Sequence, residues 1–261
     1  TRKGHRMHIV FTDLDGTLLD HETYSFEPAR PALDLLKERG IPLVLASSKT
    51  EAEMRPIASA IGIDHPMIVE NGAGIVNWPG GEADENGVYD RLRAVLSSMD
   101  PDLRRHYQGF GDWSDAEVAE KTGMPLESAR LARKRRFSEP GLWSGGKDQR
   151  AAFAAILDAH GFRAVQGGRF FTLMPKTSKA EAMKKIASHY AETSGEPVFT
   201  VALGDAPNDA AMLETADRGF IIANPAHAEM PVSDREREGF IARSERTGPY
   251  GWNDMILQLL A

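Results

Sequence analysis

Asp13 and Asp15 stand two positions apart at the exit of the apolar run Met7 to Phe11, and Gly16 and Thr17 follow directly. In an extended segment residues i and i+2 point the same way, so the two carboxylates can converge on one site. Gly16 allows a sharp turn and Thr17 offers a hydroxyl. Such a pair at the mouth of a buried strand can seat Mg²⁺ and attack phosphorus. The same residues are ordinary choices for an Asx-type turn that merely closes a strand, and the motif alone does not separate the two readings.

Three further polar groups follow apolar runs. Ser47, Ser48, Lys49 and Thr50 come after Ile41 to Ala46, Glu70-Asn71-Gly72-Ala73 comes after Met67 to Val69, and Gly204, Asp205, Asn208 and Asp209 come after Val198 to Leu203. Ligands bind at the carboxyl ends of strands in open parallel sheets, and helix N-termini there favour anions. Each motif has a bland reading as a cap or tight turn. Capping does not explain acidic or hydroxyl clusters at equivalent ends of three strands. The joint reading assigns Asp13, held on Mg²⁺, as a nucleophile forming an aspartyl-phosphate, and Asp15 as the acid that protonates the leaving alkoxide and then activates water. Asp205 completes an oxygen-ligand metal site, with Asp209 as a direct or outer partner. Ser47 and nearby amides hold phosphoryl oxygens, and Lys179 supplies fixed positive charge. A phosphosugar mutase shares the aspartyl-phosphate, and a non-catalytic phosphate sensor could keep the same shell, although pure binding has no need of Asp15.

These residues require a scaffold of alternating strands and helices. Met7 to Phe11, Ile41 to Ala46 and Met67 to Val69 read as strands separated by helices over Glu27 to Arg39 and Thr50 to Ile61, the latter opening on a capping box (Thr50, Glu53) and ending at Gly62. From about Pro79 the texture turns Gly-rich and acidic, then amphipathic and charged. Arg150 to His160 reads as a helix, and Phe162 to Gln166 with Arg169 to Met174 as a hairpin across Gly167-Gly168. After Pro175 the rhythm returns: helix Lys179 to Thr193, strand Val198 to Leu203, helix Asp209 to Ala216, strand Gly219 to Ala223 and a last helix from Asn253 to Leu260. The fold class is α/β: a parallel core formed by residues 1–81 and 175–261, with an α+β insert at 82–174.

The remaining composition narrows the classes. A chain of 261 residues with 41% hydrophobic content buries a substantial core. No apolar run approaches the roughly eighteen residues of a membrane span, and no signal-type core follows the basic start, so neither membrane insertion nor secretion is expected. The absence of cysteine suits a cytoplasmic protein and leaves only oxygen or imidazole metal ligands. A net charge of −7 argues against nucleic-acid binding. Arg130 to Arg136 reads as a solvated helix face. Trp252 and Gly251 read as a packing anchor and a turn. None of the eight histidines has metal-ligand spacing, and His65 and His106 read as surface residues. Phe170 and Phe171 alternate, so at most one faces the core.

The set Asp13-Leu14-Asp15-Gly16-Thr17, Ser47, Lys179 and Gly204-Asp205-Ala206-Pro207-Asn208-Asp209 resembles the four motifs of the haloacid dehalogenase superfamily of phosphatases. The resemblance implies a Rossmann-like core with a cap (C2-type) inserted after the second motif. A narrower resemblance, carried by Thr23 to Ala29, Ser47 to Thr50, Glu70 to Gly74, Phe137 to Pro140 and Gly168 to Phe171, is to mannosyl-3-phosphoglycerate phosphatases. It implies a small anionic substrate, mannosyl- or glucosyl-3-phosphoglycerate, cleaved to the glycosylglycerate and phosphate. Among the metal ligands it implies Asp13, the backbone carbonyl of Asp15, Asp205 and Asp209; for phosphate, Ser47, Ser48 and Asn208; for the rest of the substrate, Lys49, Asn71, Arg136, Ser138, Glu139 and Arg169. The family's lysine is commonly followed by glycine, whereas Lys179 precedes Ala180, which leaves Lys176 as an alternative bearer of that charge.

Overall fold

A computed structural model describes residues 6–79 and 87–261. The expected 81/82 boundary and the first five residues of the basic start lie outside them. Continuous apolar runs become the inner strands because a parallel sheet is buried on both faces. β1 (Met7–Thr12) takes the centre of a seven-stranded sheet, between β2 (Leu43–Ala46) and β9 (Val198–Gly204). β3 (Met67–Val69) and β4 (Gly74–Val76) extend one side, and β10 (Arg218–Ala223) and β11 (Ile241–Thr247) the other. Every pairing is parallel except β3 with β4.

Alternation along the strands sorts side chains between two helical layers. Val10, Leu43, Leu45, Val201 and Leu203 pack with α1 (Arg30–Glu38), α2 (Glu51–Ile61) and α11 (Gly248–Leu260). Ile9, Phe11, Val44, Ala46 and Ala202 pack with α8 (Lys179–Ser194) and α9 (Ala210–Thr215), and the short α10 (Asp234–Arg237) precedes β11. The expected capping box at Thr50 and Glu53 is present, and Gly62 takes the left-handed conformation that ends α2. The last helix begins at Gly248 rather than Asn253. Pro249 sits in its first turn, where no amide donor is needed. Gly251 is therefore a packing residue and not a turn: a Cβ there would lie 2.1 Å from the Arg246 carbonyl oxygen, so only glycine lets α11 approach β11 this closely.

Residues 88–174 carry α3 (Val88–Ser98), α4 (Pro101–Arg104), α5 (Asp115–Thr122), α6 (Leu126–Ala132) and α7 (Lys147–Ala159). Two small antiparallel sheets accompany them, β5 (Tyr107–Gly109) with β6 (Gly141–Trp143) and β7 (Phe162–Gly167) with β8 (Phe170–Pro175). The hairpin turns at Gly168-Arg169, one position later than expected, since Gly167 pairs with Phe170 and Gly168 has φ +55°. Phe171 is buried while Phe170 is half-buried. Two apolar clusters belong to this region, one around Tyr107, Phe153, Phe162 and Leu173, the other around Phe110, Trp113 and Val118.

Three further expectations change. The run from Arg130 to Arg136 is not one solvated face, because α6 ends at Ala132 and the Arg135 side chain is buried against Glu70. His65 and His106 are half-buried, His106 packing against Trp143. Lys176 pairs with Asp158 at 2.6 Å, which leaves Lys179 alone of the two at the strand ends.

Candidate active site

Asp13 is the first residue beyond β1. Its amide donates to the Leu203 carbonyl (2.9 Å), which carries the strand register one step past the sheet. The carbonyl of Asp13 accepts from the Thr12 hydroxyl (2.8 Å), which in turn accepts from the indole N–H of buried Trp252 (2.9 Å). Gly16 then turns the chain at φ +76°; a Cβ there would stand 2.7 Å from Asp205 Oδ2 and 2.3 Å from Asn224 Nδ2. Glycine is thus what lets the first loop lie against the end of β9.

The second group of charges comes from loops after β9 and before α8. Ser178 caps α8, accepting from the Glu181 amide, and so fixes Lys179 as its first residue. Lys179 Nζ donates to Asp13 Oδ1 (3.1 Å) and Asp209 Oδ1 (2.8 Å). Asp209 Oδ2 accepts from the Asp205 and Ala206 amides, which folds the Gly204 to Asp209 loop around its own carboxylate. Asp205 accepts from the Thr17 hydroxyl (2.9 Å) and from Asn224 (2.7 Å), with His227 at 3.7 Å.

Asp13, Asp205 and Asp209 are all buried, and each presents one oxygen within 4.8 Å of the others'. Three carboxylates against one ammonium leave excess buried negative charge. Asp13 shows the effect: burial, then Asp209 and more weakly Asp205, raise its carboxyl well above the ordinary range, and Lys179 offsets this only in part. Burial alone would depress the Lys179 ammonium, but Asp13 and Asp209 outweigh it and raise it. Hard oxygen donors with unneutralised charge fit a small divalent cation such as Mg²⁺.

Around this cluster stand the other candidates. The exposed Asp15 side chain pairs with Lys49 Nζ at 3.1 Å, and although burial opposes it, that neighbour raises the lysine's pKa. Ser47 is buried with its hydroxyl accepting from the Lys49 amide, while Ser48 is exposed. Asn208 donates to Asn71 at 3.3 Å. Asn71 lies in a turn where Glu70, Asn71 and Gly72 all have positive φ (+51°, +61°, +89°). Left-handed backbone costs a non-glycine residue about 1–2 kcal/mol, so the two side chains here are held by surrounding structure.

The candidates from the inserted region are mostly engaged elsewhere. Arg136 pairs with Glu51 in the first turn of α2. Ser138 is buried, donating to Glu70 (2.8 Å). Glu139 is buried, accepting from Tyr89 (2.9 Å), Arg93 (2.9 Å) and the Gly111 amide (3.0 Å). Burial raises its carboxyl, and Tyr89 and Arg93 counter this incompletely. Arg169 donates to the carbonyls of Lys121 and Thr122. None of these contacts joins Ser138, Glu139 or Arg169 to the carboxylate cluster. Sequence reasoning missed Thr12, Asn224 and His227. Asn224 follows β10, so the same rule about strand ends would have found it had amides been weighed beside carboxylates.

Comparison with known proteins follows the same pattern. A family described as haloacid dehalogenase-like hydrolase matches residues 10–88 and 151–231. A glucosyl-3-phosphoglycerate/mannosyl-3-phosphoglycerate phosphatase of Methanococcoides burtonii is 36% identical over 268 residues, covering 97% of both chains. A protein of the same name from Persephonella marina is 36% identical over 266 residues, again covering 97% of both. Among solved structures, a hypothetical protein from Geobacillus kaustophilus superimposes with a TM-score of 0.66 at 19% identity, covering 98% of this chain and all of that one. The sucrose-phosphatase of a Synechocystis species, in complex with sucrose and phosphate, gives 0.59 at 16% identity, covering 97% and 98%.

Proposed function

The chain belongs to the haloacid dehalogenase-like hydrolases and is a phosphatase of that family, and from that premise we propose that it hydrolyses a glycosyl-3-phosphoglycerate, glucosyl or mannosyl, through an aspartyl-phosphate on Asp13. The observation that carries this reading is the buried group of Asp13, Lys179, Asp205 and Asp209, in which a nucleophile, a fixed cation and carboxylates with unneutralised charge meet at the carboxyl ends of β1 and β9. The name of both curated relatives supports the substrate class.

In this reading an Asp13 oxygen bonds to phosphorus as the bond from phosphorus to the glycerate oxygen breaks, and Asp15 gives that oxygen its proton. Asp15 then takes a proton from the water that cleaves the acyl-phosphate, which returns Asp13 and releases phosphate. Asp13, Asp205, Asp209 and the Asp15 carbonyl would hold Mg²⁺, which when bound supplies the charge neutralisation an anionic ester demands. Lys179 orients Asp13 and favours its ionised form, against the burial and the Asp209 charge that oppose it. Ser47, Ser48 and Asn208 hold phosphoryl oxygens, and Lys49, Asn71 and Arg136 face the glycosylglycerate. Residues 82–174 act as a cap that excludes water, with Ser138, Glu139 and Arg169 as its frame rather than as substrate contacts. The direct test is phosphate release from glucosyl- and mannosyl-3-phosphoglycerate beside simple hexose phosphates. Preference for the first two is expected; equal or faster cleavage of hexose phosphates overturns the substrate.

A further inference from the structure

The buried carboxylate of Glu70 lies outside the chemistry described, yet it is the most heavily bonded acid in the molecule's described contacts between distant segments. Its oxygens accept from the amides of Arg136 (3.0 Å), Phe137 (3.2 Å) and Ser138 (3.0 Å) and from the Ser138 hydroxyl (2.8 Å), and it forms an ion pair with Arg135 (3.2 Å). Three successive amides converge on one anion, and the segment that supplies them belongs to the inserted region, 66 to 68 positions away. A side chain with no exposed surface, paired with an arginine only 6% exposed, is weak stabilisation compared with apolar packing. Its backbone is also strained, at φ +51°.

That strained turn reaches the reacting groups on its other side. The Glu70 and Asn71 amides donate to the carbonyls of Lys49 (2.8 Å) and Ser47 (2.9 Å). The Asn71 side chain meets Asn208. Gly72 lies so close to the start of α8 that a Cβ would stand 2.2 Å from the Lys179 amide nitrogen. Beyond the turn, the Phe137 ring covers Gly74 so tightly that a Cβ there would be 2.4 Å from it. One side chain therefore ties residues 135–138 to a turn that abuts three separate loops of the carboxylate site.

We propose that Glu70 is a positioning residue, seating the 136–138 segment on the left-handed turn and through that turn fixing Lys179 and Asn208 against the phosphoryl group. The inference rests on the phosphatase reading. A purely structural residue would stabilise its own neighbourhood; a positioning residue also transmits its loss to α8.

Glu70→Gln keeps the shape of the side chain but replaces one accepting oxygen with a donor facing the backbone amides. Hydrogen exchange measured by mass spectrometry is expected to rise in peptides covering 135–139 and also in those covering 70–73 and 178–183, with circular dichroism unchanged. With whichever phosphate ester the wild type cleaves, kcat is expected to fall about tenfold to a hundredfold, since small misplacement of reacting groups is costly, while KM changes less than about threefold. Arg135→Gln, which removes the ion pair and the arginine's bonds to Ser138 and Ala132 but leaves the Glu70 carboxylate with its three amides, should move both readouts in the same direction by less, and it serves if Glu70→Gln does not fold. Faster exchange confined to 135–139, or an unchanged kcat, overturns the proposal. If the wild type cleaves no ester, the substrate reading fails by itself, and the exchange at 178–183 still decides whether Glu70 acts on α8.

Discussion

Lys49 Nζ lies 3.1 Å from Asp15 Oδ2, so the loop after β2 holds the side chain that the loop after β1 offers as an acid. The lysine is largely covered while Asp15 faces solvent, and in the proposed reaction this ammonium is the fixed cation beside the glycerate end of an anionic substrate. Lys49→Met is therefore expected to raise KM for a glycosyl-3-phosphoglycerate about tenfold, which is about 1.4 kcal/mol, and to leave a phosphate ester without a carboxylate within about twofold. Steady-state kinetics on the two esters check this, and equal effects on both would assign the lysine to Asp15 alone.

Asp13→Asn should abolish turnover, lowering kcat by at least about 10⁴-fold, the scale seen when a nucleophile is removed. The fold is expected to persist because Lys179 retains its 2.8 Å contact with Asp209. Circular dichroism and phosphate release together check it; an active Asp13→Asn enzyme would rule out the covalent route.

Magnesium should stabilise the protein as well as support turnover. At a concentration a hundredfold above its Kd, a ligand that binds only the folded state adds about 2.7 kcal/mol, or roughly 5–10 °C in Tm for a chain of this size. Asp205→Asn is expected to remove that shift, and EDTA to remove wild-type phosphate release. A Tm in the wild type that ignores Mg²⁺ contradicts the assignment of Asp13, Asp205 and Asp209 as its ligands.

Asp112 gives the inserted region a pH signature. Burial would raise its carboxyl, but Arg93, the Gly109 amide and Arg104 overcome this and hold it below the ordinary value. A depressed carboxyl stabilises the fold above the unfolded pKa of about 3.9, and the contribution is lost as pH falls through the lower folded value. Asp112→Asn should cost no more than about 1 kcal/mol at pH 7, because the group is partly exposed and its pairs are screened by solvent, with the gap to the wild type closing below about pH 4. Urea unfolding across that range is the measurement; a gap that does not change with pH would place the loss in packing.

The inner strands and the acidic loops were legible because an apolar run followed by carboxylates is a local signal. The edge was not: β11 reads Ile-Ala-Arg-Ser-Glu-Arg-Thr, with only its first residues apolar, since an edge strand is half wetted. The start of α11 was hidden by Pro249 and Gly251, which signal a turn by type but serve here as a first-turn residue and a close contact. Glu139 and Arg169 were legible as charged residues of the insert but not in their orientation, which depends on partners such as Tyr89 and Thr122, 50 and 47 positions away. Glu70 was hidden for the same reason.

The central strand has a consequence for synthesis on the ribosome. Met7 pairs with Val198, so β1 emerges roughly 190 residues ahead of one of its two neighbours, a wait of roughly 10–40 s at ordinary translation rates. Trp252, whose indole anchors the hydroxyl beside Asp13, arrives later still. Through that interval an apolar strand is half-paired and aggregation-prone, and the inserted region, whose contacts are closer in sequence, is synthesised within it and complete before β9 appears. Nascent chains stalled before β9 should therefore carry a folded insert attached to an unclosed sheet, dependent on chaperones until the second half of the core appears.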